Sequence, residues 1–359
     1  MESFNIGDLK IRVPIIQGGM GIGISLSGLA SAVANMGGIG VISTVAIGLT
    51  GDRDSKNYKA NNIVAIREEI RKARELSFGV IGVNIMSVLT DFQDMVRTSI
   101  EEKIDIIFSG AGLPLDLPKY LGNGAKTKLV PIVSSGRAAS IICTKWKQNY
   151  DYLPDAFVVE GPKAGGHLGF KADQIGNDSN TLEKLLADVL NVTKAIKSKY
   201  SVDIPVIAAG GIFTGKDMYQ IMKKGAAAVQ LGTRFVATEE CDASDEFKNE
   251  FIKAKKENIQ IITSPVGLPG RTIFNDFLQK AYEGKKKPTS CNFHCIKSCN
   301  PKTTLYCIAK ALQSAYKGNL SEGFAFTGTN AVLINKISTV KKVFADLKQE
   351  YIQAKKTIL

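Results

Sequence analysis

The chain of 359 residues holds only two histidines, one tryptophan and nine arginines. The shortage of arginine matters because the net charge is +12, and 37 of the 46 basic residues are lysine. Groove readers and phosphate clamps favour the planar arginine fork. Lysines scattered over helix-like stretches read instead as a solvated surface, and only Lys285-Lys286-Lys287 forms a block. No nucleic-acid partner is expected, although a polyanion site or an acidic small substrate stays compatible with the charge. No apolar run approaches the roughly 18 residues of a membrane span. The start, Met1-Glu2-Ser3-Phe4-Asn5, does not read as a signal peptide. Six cysteines in a chain this long suggest a reducing compartment, so a cytoplasmic protein is expected. The 34 glycines follow no strict period, which excludes collagen, and 44% hydrophobic residues exclude a mainly disordered chain.

What the chain does have is one repeated theme. Eight β-branched apolar runs end in glycine or a small polar residue: Pro14–Met20, Ile39–Val45, Phe78–Met86, Ile104–Gly110, Leu129–Ser135, Ala156–Gly161, Pro205–Ile212 and Ala228–Phe235. Amphipathic stretches such as Ile63–Glu75, Leu89–Lys103, Leu182–Lys199 and Lys216–Lys224 lie between them. The runs are continuous rather than alternating, so both faces should be buried. Eight strand–helix repeats predict an α/β fold, a (β/α)8 TIM barrel, with an open doubly wound sheet as the rival. After Phe235 the pattern breaks into a proline- and cysteine-rich region. We expect a barrel over 1–236 and 325–359, and an inserted, mainly helical lid subdomain over 237–324. The stretch Thr339–Lys355 would supply the last outer helix.

In such a barrel the C-terminal strand ends build the site. Gly210-Gly211 and Gly232-Thr233 end the seventh and eighth runs, and their backbone N–H groups would suit a phosphate, with Thr214, Gly215 and Lys216 opening a helix there. They would equally make tight turns. Arg234 could assist or pair with a carboxylate. Gly19, Met20 and Gly21 after the first run, and Gly165-Gly166 after the sixth, let backbone approach a broad planar group. Flavin mononucleotide (FMN) fits that description. Asn84 would then bond a ring edge, or merely cap a turn. Gly18–Gly23 imitates a dinucleotide fingerprint but lacks the G-x-G-x-x-G spacing. His167, after two glycines, should project into the barrel mouth, either to move a proton or only to hold a cofactor by hydrogen bonding.

These residues resemble a known family. Gln17-Gly18-Gly19-Met20, the run ending at Asn84, Ala164-Gly165-Gly166-His167, Ala208-Ala209-Gly210-Gly211-Ile212 and Gln230-Leu231-Gly232-Thr233-Arg234-Phe235 are similar to the nitronate monooxygenases, formerly 2-nitropropane dioxygenases. Pro265–Arg271 and Gly328-Thr329-Asn330 extend the likeness over most of the chain. The resemblance implies a barrel with FMN bound non-covalently, held by segments that include Gln230, with His167 beside the flavin as the proposed base. It implies oxidation of small alkyl nitronates by dioxygen. Relatives instead use NAD(P)H to reduce quinones or enoyl thioesters on acyl carrier protein, a partner expected only under that alternative. A homodimer is also implied. Lys163 departs from the pattern, which often has an acid there.

The cysteines Cys291, Cys295, Cys299 and Cys307 form a second departure. Four thiolates suit zinc or an iron–sulfur cluster, and on a helix the first three would share one face. Packed, reduced thiols are the other reading. His294 is a further candidate ligand or a substrate-facing residue, whereas Cys143 and Cys241 read as structural.

Overall fold

Each apolar run forms one strand of a closed parallel barrel in the computed structural model, which describes residues 1–51, 55–122 and 124–358. The strands are Ile15–Gln17, Ile39–Ser43, Val80–Met86, Ile106–Gly110, Lys128–Val133, Phe157–Glu160, Val206–Ala209 and Ala228–Leu231. The eighth pairs with the first, so the sheet has no edge and the open-sheet rival is excluded. Continuous burial has two sources. Ile16, Val41, Phe108, Val130, Val158 and Ile207 fill the interior. Ile42, Val83, Ile107, Val133, Val159 and Val229 face the outer helices. The barrel floor is plugged by a hairpin, Phe4–Ile6 with Leu9–Ile11, whose Ile6 and Ile11 join the interior core.

The first and second strands share a single register pair, Ile16 with Ile39. The Gln17 side chain extends the contact: its Oε1 accepts from Val41 N at 3.0 Å and its Nε2 donates to Val41 O at 3.2 Å. The glycine-rich loop after the first strand leads into the helix Ser27–Asn35. That helix start offers no dinucleotide pyrophosphate site, because the Asp242 carboxylate accepts from Leu26, Gly28 and Leu29 N–H at 2.7–3.1 Å.

The final helix, Val340–Ile358, packs as the last outer helix. Phe344 meets Phe235 with ring centroids 6.0 Å apart, and Tyr351 meets Tyr219 edge-on at 5.4 Å. The region before it carries helices Asp245–Lys253, Asp276–Tyr282 and Ile308–Tyr316. It also carries a feature that periodicity missed, an antiparallel sheet of Ile259–Thr263, Pro269–Ile273 and Ala325–Phe326. The strands are too short, and too exposed along Ile259–Thr263, to show an alternating pattern. The fourth member of this sheet is Gly166–His167, which pairs with Gly270 and Arg271. An aromatic core of Phe277, Tyr306 and Phe324 continues onto Ile22, Leu49, Tyr58 and Leu89 from the barrel loops, so the region sits over the barrel mouth. No helix among the described residues is long and apolar enough to cross a membrane.

Candidate active site

The C-terminal strand ends surround a cavity of about 1150 Å³. Gly19, Met20, Gly21, Asn84, Gly165, Gly166, His167, Gly210, Gly211, Gln230, Gly232 and Thr233 all line it. The cavity exceeds the ~300–1,000 Å³ usual for one small ligand, which leaves room for a cofactor together with a substrate.

One side of it is a cradle of backbone donors. Gly210 and Gly211 take φ of 93° and 86°, in the region that favours glycine. A Cβ on Gly211 would lie 2.9 Å from Lys163 Cβ. Among the described residues, no protein acceptor takes the N–H groups of Gly210, Gly211, Gly232 or Thr233. Gly328 N donates to Thr233 Oγ1 at 3.0 Å and Asn330 Nδ2 donates to Gly211 O at 2.9 Å, which fixes the two loops against the late Gly-Thr-Asn segment. The neighbouring helix contributes less than the sequence suggests. It begins at Gly215 with Thr214 as N-cap, but Asp217 accepts from Phe213 and Thr214 N–H, and Glu350 accepts from Gly215 N–H. Those donors are therefore not free for a phosphate. Arg234 pairs loosely with Asp346 at 3.8 Å and lies over the Phe213 ring, outside the cavity wall.

Across from the cradle, the short strand Gly166–His167 is stitched to Pro269–Ile273, with Leu168 N donating to Pro269 O at 2.8 Å. Arg271, buried and with no carboxylate partner among the described residues, donates from Nη1 to Pro162 O at 2.8 Å and to Ala164 O at 2.5 Å. This holds the loop that carries His167. The His167 ring packs on Phe326 at 4.9 Å, and its Nε2 lies 2.7 Å from Ser264 Oγ. Burial pulls its pKa down to about 4, so the imidazole is neutral at pH 7. Asn84 lines the wall against Gly19, where a Cβ would come within 2.4 Å of Asn84 Cβ.

The chain matches the family described as nitronate monooxygenase over residues 2–350. It belongs to that family. A protein of Staphylococcus saprophyticus named probable nitronate monooxygenase is 25% identical over 301 residues, which cover 77% of this chain and 80% of the relative. A Mycobacterium tuberculosis protein named (3aS,4S,5R,7aS)-5-hydroxy-7a-methyl-1-oxo-octahydro-1H-indene-4-carboxyl-CoA dehydrogenase is 26% identical over 278 residues, covering 77% and 68%. Among solved structures, FabK from Thermotoga maritima superposes with a TM-score of 0.74 at 29% identity, covering 97% of this chain and 95% of that one.

Family membership makes this chain an oxidoreductase of the FMN type, and its own residues fit that cofactor. Free N–H groups suit the phosphate, glycines without side chains leave a slot for a flat ring, and the Asn84 side chain has no protein partner among the described residues. Gly165 shows how tightly the loop that lines this slot packs against the late Gly-Thr-Asn segment. A Cβ there would lie 2.6 Å from Thr327 C and 2.7 Å from Gly328 N, both backbone atoms. Gly165→Ala is therefore expected to push this loop away from residues 327–328, an overpacking that costs ~1–3 kcal/mol, and to weaken FMN binding about tenfold by deforming the cavity wall. Equilibrium dialysis of FMN against the two proteins reads this directly, and unchanged affinity would contradict a part for this loop in holding the cofactor.

The helical placement of the cysteines needs correction. Residues 291–299 form an irregular strap rather than a helix, tied to the barrel by the Leu89–Ile296 bridge, by Thr90 N donating to Cys295 O at 3.2 Å and by Lys297 N donating to Val88 O at 3.0 Å. Cys291, Cys295, Cys299 and Cys307 are free thiols, and none lines the cavity. Among the described residues, no group of three or more histidine, cysteine or acidic side chains is arranged to hold a metal. Burial pushes the Cys295 thiol up to about 12, as it does for Cys143 and Cys241, which disfavours the thiolate in all three. His294 lies outside the cavity lining as well, with its N–H directed to Cys291 Sγ at 3.4 Å.

Two residues of the site escape sequence reasoning. Ser264 lies 97 positions from its partner His167, and no local pattern links them. Glu160 ends the sixth strand on the cavity wall, and no side chain or backbone group among the described residues bonds its carboxyl. An acid closing the apolar run Phe157-Val158-Val159 was the available signal.

Proposed function

We propose that this protein oxidises alkyl nitronates with dioxygen, using FMN. The observation that carries the reading is a neutral imidazole, His167, on the wall of a cavity whose other side presents unused backbone N–H groups. FMN, when bound, would supply the redox chemistry, with dioxygen as the final oxidant. The protein's own part is placement. Gly210, Gly211, Gly232 and Thr233 would hold the phosphate, Asn84 would meet the ring edge, and the glycines at 19, 165 and 166 would leave space for the ring. His167 faces the substrate, and a neutral ring adds no charge repulsion or ion pair that must be broken on release. The region over the barrel mouth limits water.

A second reading is a reductase or dehydrogenase of thioesters or quinones that uses a nicotinamide. It draws support from the relative named as a CoA-thioester dehydrogenase and from Lys163 and Lys171 on the cavity wall, which suit an anionic carrier. One experiment separates the two. FMN-loaded protein is mixed with NADH or NADPH without oxygen, then with an alkyl nitronate in air. Oxygen uptake with nitronate and no bleaching by either nicotinamide is the expected result. Rapid bleaching without nitronate-dependent oxygen uptake would replace our reading with the second.

A further inference from the structure

Ser264 has a hydrogen-bond arrangement in which, among the described residues, one assignment pairs every polar group. The residue is 3% exposed. Its backbone is fully used, with N donating to Leu268 O at 3.1 Å and O accepting from Gly267 N at 2.8 Å. Its Oγ already accepts the Val266 N–H at 3.2 Å. The hydroxyl still carries a proton, and burying that proton unpaired costs ~1–3 kcal/mol. Among the described residues, the one acceptor bonded to it is His167 Nε2 at 2.7 Å. The hydroxyl therefore donates, Nε2 is the acceptor, and the single ring proton of the neutral imidazole sits on Nδ1. Nδ1 has no hydrogen-bond partner among the described residues, and the ring lines the cavity.

We infer that Ser264 is a positioning residue that locks His167 in the Nδ1–H form, so that the ring offers the cavity a hydrogen-bond donor rather than a base. The consequence is a substrate class. A donor stabilises an oxygen that already bears negative charge, whereas removing a carbon-bound proton needs an unoccupied lone pair facing the substrate. Resting on the proposed function, the site takes the preformed nitronate anion and not the neutral nitroalkane. The packing supports a fixed ring: Phe326 packs against it with ring centroids 4.9 Å apart and planes tilted by 57°, and the strand pairing to Gly270 and Arg271 sets the backbone.

The test uses the FMN-loaded protein labelled with ¹⁵N-histidine. Only His167 and His294 contribute, and His294→Gln assigns them. The expected spectrum at pH 7 shows a protonated Nδ1 and an unprotonated Nε2 for His167, and Ser264→Ala gives a mixture of the two forms. Ser264→Thr, which keeps the hydroxyl, restores the single form. A protonated Nε2 in the parent protein, or an unchanged spectrum in Ser264→Ala, overturns the inference; the parent spectrum decides even if the variant fails to fold. The kinetic arm compares an alkyl nitronate with its parent nitroalkane. A kcat/KM at least ~100-fold higher for the nitronate is expected, equal values overturn the substrate class, and Ser264→Ala should narrow the gap. If neither compound is turned over, the proposed function fails while the spectrum alone decides the role of Ser264.

Discussion

His167→Ala is expected to keep FMN bound while kcat falls by about 10²–10³-fold, the cost of removing one donor aimed at a charged oxygen in a dry site. The residues proposed to hold the phosphate, and Asn84, belong to other loops, so the truncation should leave those contacts in place. It opens a space between Phe326 and Ser264 and leaves the Ser264 hydroxyl without an acceptor, so a modest loss of stability accompanies the loss of rate. His167→Gln, which retains an N–H, should recover part of the activity. The checks are the visible flavin spectrum and oxygen uptake with a nitronate. Activity within about threefold of the parent would refute the role of His167. The ring also makes stability pH-dependent. Its folded pKa, about 4, lies below the ordinary histidine value, so its contribution is present above pH 6.5 and lost as pH falls toward 4.

Glu160→Gln should produce the second large effect, on the apoprotein. Enclosure in the cavity wall, with no compensating partner, raises the Glu160 carboxyl to about 7 from an ordinary 4.5. Between those values the folded chain holds a proton that the unfolded chain releases. Stability therefore falls as pH rises through this window, by about 3 kcal/mol in all. Glutamine is neutral throughout and removes that slope. Urea unfolding at pH 5 and pH 8 measures it: the parent should lose about 3 kcal/mol more than Glu160→Gln between the two pH values. Parallel losses would show that Glu160 ionises as it does in water.

Much of the architecture is legible because a parallel strand buried on both faces cannot hide in a sequence. All eight apolar runs became barrel strands; six lose residues at the end, whereas Phe78–Met86 and Ile104–Gly110 keep their ends and lose their first two residues. Pro14–Met20 pairs only over Ile15–Gln17, and Ala228–Phe235 only over Ala228–Leu231, because the residues beyond leave the ladder to form the site loops. The same glycines that end the strands mark the cavity wall. A residue that must lack a side chain to admit a neighbour is constrained locally, and so it is visible locally.

Other features depend on distance in space. The cysteine strap follows the β–α loop at residues 87–90, not a helical repeat, so the shared helix face that spacing along the chain suggests does not form. The helix starts near Ser27 and Gly215 look ready for phosphates, yet Asp242 and Glu350, far along the chain, already cap them. The barrel, the position of its mouth and the place of His167 on the cavity wall were legible in the chain alone, because burial on both faces and missing side chains are properties of short segments. The tertiary structure alone decided which backbone donors stay free, that Glu160 is held toward its neutral form, and that Ser264 meets His167. Desolvation and hydrogen-bond satisfaction are set by groups that folding brings together from segments about a hundred residues apart.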